Sequence, residues 1–84
     1  MAEKVLIGKV RHFYSKAGVA AIELTGDLAV GDRISIEQDQ TAFEQEVTSM
    51  QIEHESVTRA SSGDAVGIKT ERPVGEGSRV YRLV

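Results

Sequence analysis

The 84-residue sequence has no cysteine, no tryptophan and a single proline, and only 5% of it is aromatic. Without cysteine there is neither a disulfide nor a thiolate metal centre, so burial and backbone hydrogen bonding must hold this small chain together. The only large rings are Phe13, Tyr14, Phe43 and Tyr81, which leaves the core to Val, Ile, Leu, Ala and Met. No apolar run approaches the ~18 residues of a membrane span. The opening MAEKVLIGKV also lacks the long apolar region and small-residue cleavage site of a secretory signal. A cytoplasmic protein without membrane contact is the expectation. The length fits one domain over residues 1–84.

Charge is short in total and uneven in placement. The net charge of −3 disfavours strong sequence-independent attraction to nucleic-acid phosphate. Residues 1–16 nevertheless sum to +3 and residues 69–84 to +2, whereas residues 17–68 sum to −8. The basic ends contribute Lys4, Lys9, Arg11, Lys16, Arg79 and Arg82. If the two ends lie side by side, these six side chains are the candidate binding patch.

What the chain does have is period-two alternation broken by turn residues. Strands are predicted over residues 5–14, 19–24, 33–37, 42–52, 65–70 and 79–84, with residues 54–60 as an extended connection capping the core through Val57 and Ala60. Gly8 permits a bend in the first strand. Two Gly-Asp pairs, Gly31-Asp32 and Gly63-Asp64, each precede renewed alternation, Ile34 and Ile36 in one case and Val66 and Ile68 in the other. Both read as turns that launch a strand. Phe43 and Val47 are odd-numbered while Met50 and Ile52 are even-numbered, so a bulge near Thr48 and Ser49 is needed to keep them on one face. No window has sustained helical spacing, and no internal repeat stands out. The pattern predicts an all-β fold, a small closed antiparallel β-barrel of six or seven strands, because closure removes edges that so short a sheet cannot protect.

Catalytic patterns are scarce. His12 and His54 share no ligand spacing, and Glu53-His54-Glu55 reads more readily as a solvated strand end than as a metal site. Ser61-Ser62-Gly63-Asp64 is accounted for as a turn, without a placed histidine to serve a nucleophile. Glu44, Glu46, Glu53 and Glu55 fit a wet outer face better than an acid–base pair. Gly75-Glu76-Gly77 is followed by neither Gly-Lys-Ser nor Gly-Lys-Thr, so it is not a phosphate loop. No cofactor, metal or GTP site is expected, and no enzyme activity of the chain itself.

Four segments in order resemble the second domain of translational GTPases such as elongation factor Tu. They are Ile7-Gly8-Lys9-Val10, the stretch Leu28-Ala29-Val30-Gly31-Asp32-Arg33-Ile34, Val47-Thr48-Ser49-Met50-Gln51, and Ala60-Ser61-Ser62-Gly63-Asp64-Ala65-Val66-Gly67-Ile68. That resemblance implies a closed antiparallel barrel and a non-enzymatic module contacting RNA or a ribosome-associated protein. Ala21 and Ile22 stand where the family often carries Gly-Arg near its tRNA surface, so that contact is not implied. A similar barrel ends some collagenase-like peptidases and RNA-modifying enzymes, which implies the alternative: an accessory subunit or domain that completes an enzyme supplied elsewhere.

Overall fold

Residues 4–14 carry the longest alternating stretch, and in the computed structural model, which describes residues 3–84, they form the central strand β1 (Lys4–Tyr14). The other strands are β2 (Val19–Leu24), β3 (Leu28–Ala29), β4 (Arg33–Gln38), β5 (Thr41–Glu46), β6 (Met50–Ile52), β7 (Glu55–Val57), β8 (Arg59–Ala60), β9 (Ala65–Lys69) and β10 (Arg79–Leu83). Eight of them form one antiparallel sheet in the order β5-β4-β10-β1-β2-β9-β6-β7, and β3 pairs with β8 in a separate two-stranded ladder.

All-β architecture and antiparallel pairing are as read from the alternation. A closed barrel is not found: the ladder runs from β5 to β7 without joining its ends. Its seam is instead bridged by a side chain. Gln45 on β5, only 3% exposed, donates from Nε2 to the Lys69 carbonyl at 2.9 Å and accepts at Oε1 from the Glu71 amide at 2.9 Å. Alternation alone does not distinguish a strand-to-strand seam from one closed by an amide side chain, because both bury the same residues.

The first and last strands are neighbours, with Lys4 opposite Leu83 and Lys9 opposite Arg79. The register slips between Leu6 and Gly8, so Ile7 and Gly8 both turn inward. The expected parity change near Thr48 takes a stronger form than a bulge. β5 stops at Glu46, the chain crosses the end of the sheet over residues 47–49, and β6 starts at Met50 against β9. Val47 and Met50 are both fully buried as a result. One core joins these elements: Ile7, Val10, Ile22, Leu24, Leu28, Ile34, Met50, Val66, Ile68 and Val80 are all nearly inaccessible, each worth roughly 1.5–3 kcal/mol of apolar transfer when fully buried.

The two Gly-Asp pairs do more than start strands. Gly31 and Gly63 sit at φ 98° and 96°. Asp32 Oδ2 accepts from the Ala29 amide and Asp64 Oδ2 from the Ser61 amide, both at 2.9 Å. Gly31 donates to the Val47 carbonyl while Val47 donates to the Asp32 carbonyl, and Gly63 and Asp64 bind the Leu24 backbone in the same way, all at 2.8–2.9 Å. The residue three before each glycine, Leu28 and Ala60, pairs with the other across the β3–β8 ladder. This is a local twofold repeat that sequence inspection missed.

Candidate functional site

Alternation along β10 decides where its basic residues go. Arg79 and Tyr81 lie on the outer face, whereas Val80 and Arg82 share the face turned toward the core, opposite Ile36 and Ile34. The last strand thus sends one guanidinium to each of two polar grooves. Arg79 lines a groove of about 320 Å³ with Glu37, Gln38, Asp39 and Glu76. Arg82 lines a larger one, about 530 Å³, with Asp27, Asp32, Arg59, Asp64 and the β3–β8 ladder.

The six basic residues singled out from the sequence are only partly brought together. Lys9 and Arg79 are cross-strand neighbours on the outer face, flanked in register by Glu23 and Glu37. Lys4 Nζ bonds Glu37 Oε2 at 2.7 Å and lies 4.6 Å from the centre of the Tyr81 ring. That bond raises the Lys4 pKa and lowers that of Glu37, with desolvation opposing it and the proximity of opposite charges adding a lesser effect in the bond's direction. Arg11 pairs with Glu23, Lys16 sits in the turn between β1 and β2, and Arg82 is on the opposite face. Carboxylates interrupt the row, and the six side chains are spread over both faces of the sheet and a turn.

The histidines stay apart. His12 Nδ1 lies 2.9 Å from Glu76 Oε2, and His54 occupies the two-residue turn between β6 and β7 together with Glu53, both at positive φ. Among the described residues no group of three or more His, Asp or Glu side chains is placed to hold a metal ion. Glu44, Glu46, Glu53 and Glu55 are exposed, and Glu44 reaches Arg33 at 3.4 Å.

Sequence reasoning passed over the groove beneath Arg82. Its aspartates were legible, since the Gly-Asp motif repeats, but the motif was fully explained as a turn. The strands that bring the two turns together are two residues long, too short to leave a periodic signal.

No protein-family model matches the chain. Among curated proteins it is 48% identical over 81 residues to an uncharacterized protease of Methanocaldococcus jannaschii, covering 95% of this chain and 20% of that protein. It is 30% identical over 83 residues to a collagenase of Porphyromonas gingivalis, covering 96% of this chain and 20% of the relative. The chain therefore spans about a fifth of the length of the curated relatives it matches. Among solved structures, two crystal structures of the C-terminal domain of a Geobacillus thermoleovorans protein assigned to the U32 peptidases superpose with TM-scores of 0.86 at 18% identity. One match covers 90% of this chain and 96% of that one, the other 92% and 90%. At that identity the likeness establishes the fold. These findings overturn the resemblance to elongation factors and the role in translation that it implied, and nothing in them supports an RNA or ribosome-associated partner. Gly-Asp turns that launch strands are a general device of antiparallel sheets, so the four segments carry little family information. The chain shares its fold with U32 peptidase C-terminal domains, and its sequence with one segment of proteins named as proteases.

Proposed function

We propose that this chain is an accessory β-domain of a collagenase-like peptidase, with the catalytic groups supplied by polypeptide outside these 84 residues. One observation carries the reading: almost the whole chain, 95% of it, aligns at 48% identity with only 20% of a protease. A segment that accounts for a fifth of an enzyme leaves four-fifths to hold the chemistry. The surface of the domain supports this division of labour. Its histidines and glutamates are dispersed on exposed strands and turns, while its two polar grooves are lined by charged side chains suited to holding another molecule.

The domain's role is then positional. A rigid sheet with a fully buried core presents fixed grooves to the enzyme or to its peptide substrate. Association is tested with the Methanocaldococcus protease lacking its matching segment, to which the 84-residue chain is added. A one-to-one complex on size-exclusion chromatography is the expected result. Failure to associate, together with an undiminished rate of the truncated protease, overturns the proposal.

A further inference from the structure

We infer that the 530 Å³ groove between the two Gly-Asp turns is a binding site for a peptide carboxylate, with Arg82 as its anchor. Arg82 projects from the core-facing side of β10, opposite Val5 on one side and Ile34 on the other. Its Nε is buried and has no hydrogen-bond acceptor. Among the described residues neither Arg82 nor Arg59 forms an ion pair, although three aspartates line the same groove. Two of those aspartates are already committed, because Asp32 and Asp64 each hold a turn amide through Oδ2. A guanidinium with a buried, unpaired Nε thus stands in the groove wall with no carboxylate in ion-pair contact.

A carboxylate is the group that fits. Its two oxygens match the planar donor fork of a guanidinium, and such charge-assisted pairs gain strength beside a low-dielectric wall. The size of the groove suits a short peptide segment rather than a single ion. Its remaining charge sharpens the choice: Asp27, Asp32 and Asp64 disfavour an anionic ligand as a whole and favour one with a basic side chain next to its carboxylate. A C-terminal carboxylate and an acidic side chain both supply the required chemistry. Assigning the carboxylate to a peptide rests on the peptidase reading, whereas the demand for a carboxylate does not.

The test is a titration of the 15N-labelled chain followed by NMR at the Arg82 Nε–H and the Ala29 and Ser61 amides. The probes are N-acetyl-alanyl-lysyl-alanine, its C-terminal amide, N-acetyl-lysyl-glutamyl-alanine amide, and acetate. Saturable shifts with the first, about tenfold weaker with its amide, support a site for a terminal carboxylate; a stronger response to the glutamyl peptide supports a side-chain carboxylate. Acetate binding as tightly as the peptides supports the carboxylate site but overturns its assignment to peptides. Equal shifts with the acid, its amide and the glutamyl peptide, or none with any probe, overturn the inference. Arg82→Lys keeps the charge but not the fork and is expected to weaken binding about tenfold. If that variant fails to fold, the comparison of the acid and the glutamyl peptide with the plain amide on the unaltered chain still decides.

Discussion

Leu28 and Ala60 face each other across the β3–β8 ladder, at the point about which the two Gly-Asp turns are related. The two glycines occupy the same positive-φ conformation, and a Cβ at either would meet nothing within 4 Å. Substitution there is therefore a backbone test free of steric collision. Gly31→Ala and Gly63→Ala are each expected to lose about 1–2 kcal/mol of stability, the penalty for an L-residue in left-handed conformation. Urea denaturation should return similar losses for the two. A large effect at one and none at the other would show that the turns are not equivalent.

Gln45 gives a sharper prediction. Its amide joins β5 to the end of β9 and the chain just after it through two backbone partners, Lys69 and Glu71. Gln45→Leu conserves bulk but takes the side-chain partner from the part-buried Lys69 carbonyl and Glu71 amide, at about 2–4 kcal/mol. Thermal melting should shift down by roughly 10 °C or more for a domain of this size. A loss under about 1 kcal/mol would mean that water reaches the seam and replaces the amide.

The Lys4–Glu37 contact sets a pH dependence. Glu37 is held below the ordinary carboxylate value by its bond to Lys4, so the stability it contributes is present above its unfolded pKa and lost as pH falls through the folded value. Lys4, raised above the ordinary value by the same bond, contributes below its unfolded pKa and loses that contribution as pH rises through the folded one. Both groups are solvent-exposed, so the effect on stability is small. Lys4→Met should move the Glu37 carboxyl titration upward when followed by 13C NMR. An unmoved titration would show that the contact is not populated in solution.

Much of the fold could be read from the sequence because burial follows alternation. Ile22 with Leu24, Ile34 with Ile36 and Val66 with Ile68 all face the core as their spacing indicates. The break between Val47 and Met50 was visible as a change of parity, although its physical form is a crossing between sheet ends rather than a bulge. Closure was not legible. Whether the free edge of β5 pairs with another strand or reaches across through Gln45 depends on contacts between residues 24 and 26 positions apart, which local pattern does not encode. The candidate groove was hidden for a related reason. Arg82 looked like one of several terminal basic residues, and only its place on β10 turns it inward, away from Lys9 and Arg79. The resemblance to elongation factors rested on turn residues, whose types answer to backbone geometry and not to lineage.

The central claim is that these residues complete a peptidase without performing its chemistry. It is tested most directly by grafting the chain into the Methanocaldococcus protease in place of the segment it matches, and measuring kcat/KM for hydrolysis of a peptide that the intact protease cleaves. The chimaera is expected to retain activity within about tenfold of the intact protease, while deletion of the segment lowers it by a further tenfold or more, as loss of a positioning element does. Hydrolysis by the 84-residue chain alone, or a deletion variant as active as the intact protease, would contradict the account.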